Sequence, residues 1–501
     1  MKLGLCLICA GAPLAAQPLF EPRPLPVEHV YTGGWEHFVG GGLAAFDCNG
    51  DSFPELLAAG GEAPMTLLIN TTSAPGNDIS FENGRFPDIT GATGAYPLDI
   101  DSDGWLDLFI LRVGENMVLR GGADCSFTDA SSAWGIPKDD RWSTAFSATW
   151  EAGQSRPTLA VGNYVDRANP DGPFQACDSN QLMRPTAKGY DSTDLAPGFC
   201  ALSMLFSDAA RRGVADLRVS NDRHYYVRGG SEQMWSFPDL TLLDASKGWN
   251  AVSIWGMGIA STDITGDGLP EVVLTSMGDQ LLQYADAPYV YRNASYNVGA
   301  TAHRPHIGDD GRPSTGWHAA FGDADNDGFE DIFIAKGNVD QMPSNAMHDP
   351  NSLLMQQPDG TFVEASVAAG VASDLRGRGG VFGDLNGDGL LDLAVVNRRA
   401  PLELWQNVTA GAGNWITLQP VQPAPNQHAV GGFAEIRLPD GTTRIKEITV
   451  GGGHAGSSAL PVHFGLGTAT SVETRMIWPD GTVSDWQVGT INAANLISRV
   501  N

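Results

Sequence analysis

One nine-residue pattern recurs along the chain and constrains its fold more than any other feature. It reads DCNGDSFPE at 47–55, DIDSDGWLD at 99–107, DITGDGLPE at 263–271, DADNDGFED at 323–331 and DLNGDGLLD at 384–392. Each copy follows small or apolar residues and runs into an aliphatic segment such as LFI, VVL, IFI or LAV, so the unit is strand, acidic loop, strand. Oxygen-bearing side chains stand at positions 1, 3, 5 and 9, and a backbone carbonyl is free at position 7, which is how a short loop wraps a hard cation. Glycine supplies the sharp turn at position 6, except in the first copy, which has Ser52. An EF-hand begins the same way but needs Glu at position 12, where this chain has Ala58, Ile110, Leu274, Ile334 and Val395. These are not EF-hands, because the aliphatic residue belongs to the strand that follows.

The expected metal ligands are Asp47, Asn49, Asp51 and Glu55 in the first loop and Asp99, Asp101, Asp103 and Asp107 in the second. They are Asp263, Thr265, Asp267 and Glu271 at 263, Asp323, Asp325, Asp327 and Asp331 at 323, and Asp384, Asn386, Asp388 and Asp392 at 384. Charge supports this reading. The 501 residues carry 58 Asp+Glu against 30 Lys+Arg, a net −28, and seventeen of the acids occupy these ligand positions. Three or four carboxylates crowded into one loop without a cation cost on the order of several kcal/mol by like-charge repulsion. About five Ca²⁺ ions are expected, bringing the net charge from −28 to −18. Seven oxygens in a flexible loop suit Ca²⁺ over Mg²⁺, and the role expected is structural, at extracellular millimolar concentration. The acidic balance also excludes nucleic acid and anionic membrane surfaces as partners. With 42% hydrophobic residues the chain is globular, not an acidic disordered polymer.

Two weaker copies fill the gaps. Trp150 to Thr158 is followed by LAVGN, and Asp208 to Asp216 by LRVSN. The first has lost its ligands, and the second has Ala210 and Arg212 at positions 3 and 5. Both are expected to be metal-free, with Arg212 paired to Asp208 or Asp216. Seven copies, at 47, 99, 150, 208, 263, 323 and 384, recur every 51 to 61 residues. That period with several short strands per unit predicts an all-β, seven-bladed β-propeller over residues 17–411. The last copy lacks an outer strand, and Leu19-Phe20-Glu21 has the missing pattern, so the N-terminal strand should complete the seventh blade and leave no open edge. Trp142, Trp255 and Trp317 precede their loops and are read as strand packing.

Residues 1–16, with Lys2, an apolar run and Ala15-Ala16, read as a secretory signal peptide. No later stretch is long and apolar enough to span a bilayer, so the chain is expected outside the cytoplasm, secreted or periplasmic. Four cysteines then remain, with three connectivities; Cys177 with Cys200 is the favoured pair, leaving Cys48 with Cys125. Residues 412–501 show alternating segments (WITLQPV, AEIRL, RIKEITV, ETRMIW) and turns at Asp440-Gly441 and Asp480-Gly481, which predict a small antiparallel β domain. It carries six acids and five bases, so the negative charge belongs to the repeats. Sequons stand at Asn70, Asn293 and Asn407.

The D-x-[DN]-x-D-G-x-x-[DE] loop between strands resembles the FG-GAP or VCBS repeat, the calcium-binding propeller unit of integrin alpha chains. Gly413-Asn414-Trp415, NQHAVGGFAEIRL, GGGHAGSS at 451–458, HFGLG at 463–467 and WPDGTV at 478–483 resemble the ASPIC/UnbV domain. Together these cover nearly the whole mature chain and resemble the CRTAC1 family of secreted acidic proteins. The resemblance implies extracellular, calcium-dependent binding or adhesion, with a protein or glycan partner. Two features depart from the family: the two ligand-poor copies, and GGGHAGSSA in place of an aromatic-containing GxGxxSQ run.

No H-E-x-x-H, G-x-S-x-G or phosphate-binding loop occurs, and no catalytic residue is assigned. His303 and His306 with Asp309 and Asp310 read as a solvated loop, and His454 and His463 as structural histidines. The reading is therefore a calcium-binding interaction protein. The alternative is an extracellular carbohydrate-active enzyme, a hydrolase or lyase, because acidic pairs for glycoside chemistry look like calcium ligands in sequence.

Overall fold

The computed structural model describes residues 16–170, 176–222, 229–308 and 311–499. The expected signal peptide, apart from Ala16, lies outside the described residues.

The repeats build antiparallel meanders. Each opens on a strand of small and apolar residues: Leu43–Phe46, Ala92–Leu98, Arg141–Thr149, Ala201–Ser207, Gly256–Thr262, Gly316–Gly322 and Gly377–Gly383. The nine-residue loop turns the chain back into a second strand, such as Glu55–Ala58, Asp331–Lys336 or Asp392–Asn397, and two further strands follow outward. First and second strands are buried on both faces, and for that reason they read as continuous apolar runs in place of alternation. The first strands pack side by side in sequence order, and Gly377–Gly383 packs on Leu43–Phe46. The architecture is all-β and propeller-like.

Five meanders are separate four-stranded sheets. The second and third are joined into one eight-stranded sheet, through pairing of Arg141 with Gly114 and Trp142 with Val113. Phe20–Pro22 pairs with Glu403–Asn407, Phe20 opposite Asn407, and is the fourth strand of the last meander, as the Leu19-Phe20-Glu21 pattern predicts. Phe20 enters the apolar core between the sixth and seventh meanders, beside Phe333, Leu393 and Trp405, a burial worth about 2–3 kcal/mol.

Two disulfides form, Cys177–Cys200 and Cys48–Cys125. The second ties the first acidic loop to the outer edge of the second meander. Two sequons are structural: Asn70 donates to Pro54 O and Leu385 O, and Asn407 to Ala324 O and Leu391 O, both buried. Only Asn293 presents an exposed side chain.

The tail consists of two small sheets. One orders Val462–Gly467, Asn414–Val421 and Ala494–Ser498; the other orders Thr443–Glu447, Phe433–Arg437, Val472–Ile477 and Gln487–Gly489. The expectation of a purely antiparallel domain needs correction, because Asn414–Val421 and Ala494–Ser498 pair in parallel. The last strand reaches its partner by crossing over from the other sheet and not through a hairpin.

Candidate metal centres

The five acidic loops close with one set of backbone hydrogen bonds. The position-1 carboxylate accepts the position-6 amide: Ser52 to Asp47 at 2.9 Å, Gly104 to Asp99 at 3.0 Å, Gly268 to Asp263 at 2.7 Å, Gly328 to Asp323 at 2.7 Å and Gly389 to Asp384 at 2.8 Å. The position-9 carboxylate accepts the position-2 amide at 2.8–2.9 Å, from Cys48, Ile100, Ile264, Ala324 and Leu385. The position-5 carboxylate accepts the position-7 amide. Position 6 is left-handed every time, which is why glycine recurs there; Ser52, at φ 71°, adopts the same conformation at a cost of about 1 kcal/mol.

This closure turns the acids inward. Oxygens of Asp99, Asp101 and Asp107 lie within 4.8 Å of one another, as do those of Asp323, Asp325 and Asp331. Glu55 lies equally close to Cys48 and Cys125, but these sulfurs are bonded to each other and offer no thiolate. Asn49 Nδ2 donates to Asp51 and Glu55 at 3.0 and 3.2 Å, and Asn386 Nδ2 to Asp388 at 3.1 Å, so an amide stands in for positive charge at position 3 of these loops. Thr265 is exposed at the rim of the fifth site.

Burial, reinforced by neighbouring carboxylates, pushes Glu55, Asp107, Glu271 and Asp325 up to about 7, and Asp99 and Asp384 up to about 6. Asp323, Asp331 and Asp392 stand well above the ordinary carboxylate range for the same reasons. Such groups take up a proton more readily than ordinary carboxylates, and a cation can stand in its place. Asp101 Oδ1 and Asp325 Oδ2 are buried with no hydrogen-bond partner. A converging all-oxygen set with open acceptors fits a hard divalent cation.

The fourth loop keeps the turn and changes the charge, whereas the third has neither a position-1 carboxylate nor a left-handed position 6. In the fourth, Asp208 accepts the Arg212 and Gly213 amides, while the Arg212 guanidinium lies 2.5 Å from Asp216 Oδ2, the pairing expected from sequence. Tyr289 also donates to Asp216. In the third, Glu151 accepts Thr158 Oγ1 and pairs with Arg184 at 2.7 Å. The sequence reading missed Arg120, whose guanidinium lies 2.7 Å from both Asp101 and Asp103 at the second loop. It sits thirteen residues past that loop, on the outer hairpin, where no motif marks it.

Sequence comparison agrees with four of these five loops. The FG-GAP-like repeat family model matches residues 47–110 and 263–334, and the ASPIC and UnbV model matches 422–499. Mouse cartilage acidic protein 1 is 23% identical over 479 residues, covering 88% of this chain and 70% of that protein; the human protein is 22% identical over 478 residues, covering 88% and 69%. The chain is a homologue of cartilage acidic protein 1. Among solved structures, BBS1N, from its complex with ARL6DN, is similar over 79% of this chain and 98% of its own, at 9% identity and a TM-score of 0.45.

In this cartilage acidic protein 1 homologue the glycine-rich run that departs from the family pattern has a defined place. Residues 450–459 thread the middle of the meanders, bridging Ala148 with Val450, Leu205 with Gly451, Ile259 with Gly453, Ala95 with Gly456 and Phe46 with Ala459. A Cβ at Gly42 or Gly94 would fall 1.8 or 1.7 Å from Ala455 O, so the first strands approach the run as closely as backbone allows. His454 is fully buried: its Nδ1 donates to Met257 O, its Nε2 accepts the Gly40 amide, and its own amide donates to His318 Nδ1 at 3.1 Å. Burial lowers His454 to about 3 and His318 to about 4, so both are neutral structural groups.

His463 donates to Gly389 O at 3.0 Å. Glu447 reaches into the fourth loop, accepting Ser207 Oγ and the Asp208 amide, and burial pushes it up to about 8. His303 pairs with Asp279 at 2.7 Å and His306 with Ser366 at 3.0 Å, so these histidines do not converge; Asp309 and Asp310 lie outside the described residues. Trp142 and Trp317 are fully buried in an apolar cluster, with Trp255 packed against it.

Proposed function

We propose that this chain is a secreted, calcium-stabilised interaction protein: a seven-bladed propeller over 17–411 closed by its N-terminal strand, with 412–501 as a docked domain. Ca²⁺ is held at about five sites by the twenty loop residues named above. The bound ion supplies charge neutralisation and fixes the loop; it performs no chemistry on a substrate. The observation that carries the reading is the repeated inward convergence of buried carboxylates, with acceptors left open in the second and sixth loops. Homology to cartilage acidic protein 1, two disulfides, and the absence among the described residues of any helix long and apolar enough to cross a membrane support an extracellular setting.

The partner is an extracellular protein or glycan. Residues 450–459 fill the middle of the ring, and a cavity between the tail and the fifth loop, lined by Asp263, Phe433 and Glu447, has room for about one water at ≈ 20 Å³. Recognition is therefore assigned to outer surfaces and not to an axial channel. The test is a panel of extracellular polysaccharides and matrix proteins on immobilised protein, in millimolar Ca²⁺ and in EGTA. Saturable capture without product formation, lost in EGTA, is expected. Calcium-dependent turnover of a polysaccharide would replace this reading with that of a carbohydrate-active hydrolase or lyase.

A further inference from the structure

The tail touches several loops, with Gln427 donating to Ser102 O in the second and His463 to Gly389 O in the seventh, but it closes most completely over the carboxylates of the sixth. Asp323 and Asp325, at positions 1 and 3, are at most 1% exposed, whereas the same positions of the first and fifth loops, Asp47, Asn49, Asp263 and Thr265, reach solvent. The cover is the tail. The Gly413 amide donates to Asp325 O at 2.9 Å and the Gly467 amide to Asn326 O at 2.8 Å. Arg444 lies against Gly328 and donates to Gly465 O at 2.7 Å, and Lys446 Nζ is 2.5 Å from Glu330 Oε1. A Cβ at residue 465 would fall 1.8 Å from Asp323 Oδ2, so only glycine lets the tail close here.

Beneath this cover three oxygens have no hydrogen-bond partner: Asp325 Oδ2, Asn326 Oδ1 and Glu330 Oε2, all on residues more than nine-tenths buried. Asp323, Asp325, Asp327, Glu330 and Asp331 put five carboxylates in nine residues, and the tail brings two cations, Arg444 and Lys446. When all ionise, the cluster keeps a charge of −3, which a divalent cation reduces to −1. Closing the tail over ionised, unneutralised carboxylates strips them of water at a cost that hydrogen bonds from two amides do not offset.

We infer that the tail is the lid of the sixth-loop cation site, so that cation binding and tail docking are one linked equilibrium. This rests on the calcium reading above and adds to it a coupling that is strongest at this loop. Linkage is reciprocal: the cation holds the tail down, and the docked tail retains the cation. Docking is also what seats residues 450–459 among the first strands, since that run leads directly into Val462–Gly467, which carries Gly465. Losing the ion from this one loop therefore loosens the central run, 450–459, from a distance.

The test uses the full chain, with Ca²⁺ itself as probe. Dissociation of ⁴⁵Ca²⁺ should show one ion per chain leaving at least about tenfold more slowly than the exposed ones. Gly413→Val wedges the lid against the Asn326 backbone carbonyl, 2.0 Å from the new Cβ, without touching a carboxylate, and should abolish that slow ion while leaving the faster ones bound. Lys446→Gln, a milder change, should speed the slow ion by a smaller factor. Hydrogen exchange at Gly413, Gly453 and Gly467 should quicken in EGTA by a similar factor, while Ile332–Ala335 stays protected. If Ca²⁺ binds but all ions leave alike, or the tail amides exchange equally with and without Ca²⁺, the lid is wrong and the calcium reading stands. If no Ca²⁺ binds, both fail.

Discussion

The fourth and sixth loops share a backbone and solve one electrostatic problem in opposite ways. Both begin on an Asp that accepts the position-6 amide from a left-handed glycine, Gly213 or Gly328, and both end on a buried Asp, Asp216 or Asp331. In the fourth, Arg212 brings a guanidinium to 2.5 Å from Asp216, so the loop carries its counter-charge in its own sequence. In the sixth the same position is Asp327, and the carboxylates find their counter-charge elsewhere: partly in Arg444 and Lys446 of the tail and, in the function we propose, in a cation. The turn geometry is thus independent of metal. What the acids add is a need, and that need can be linked to another part of the molecule.

The comparison breaks most visibly at Asp323. In Ca²⁺, Asp323→Ala should cost about 3 kcal/mol, read by denaturant unfolding, because it removes a buried partner of the ion. In EGTA the same substitution should be near neutral or stabilising, because it removes repulsion. An equal cost in both conditions would mean that Asp323 is only a turn-former, like Asp208.

Next in size is a pH effect confined to the chelated protein. Glu55, Asp107 and Glu271 are raised to about 7 by burial, from about 4 in the unfolded chain. A group whose folded value is raised contributes stability that is complete below the unfolded value and lost as pH climbs through the folded one. The EGTA midpoint should therefore fall between pH 4 and pH 8, and Ca²⁺ should remove that fall. Arg212→Met should then cost about 1 kcal/mol, discounted for the exposure of this side chain, and equally in Ca²⁺ and EGTA. Converting the fourth loop with Ala210→Asp and Arg212→Asp should add one Ca²⁺ per chain by equilibrium dialysis. The smallest effect is expected of Arg120→Ala, which in Ca²⁺ should leave the midpoint unchanged, because the ion already neutralises Asp101 and Asp103.

The sequence made the loops legible because their determinants are local: an acceptor, a left-handed position and a second acceptor within nine residues. Repetition added the meander order, and even the N-terminal strand, since Phe20 repeats the apolar position that Phe362 fills in the sixth meander. The tail's role was not legible. Gly465 and Gly413 carry no side chain to signal a contact, and Lys446 lies more than a hundred residues from Glu330. The run 450–459 departs from its family pattern, and its glycines are explained only by the strands converging on it. Asn70 and Asn407 show the converse error: both match a surface motif, yet each ties its own loop to the neighbouring one from a buried position.

The central claim is that cations hold these loops, and thermal unfolding in millimolar Ca²⁺ against EGTA tests it most directly. At a hundredfold excess over its dissociation constant each ion contributes about 2.7 kcal/mol, so the midpoint should rise by at least about 10 °C in Ca²⁺. An unchanged midpoint would contradict the account, leaving the acidic loops as turns that carry their charge unaided.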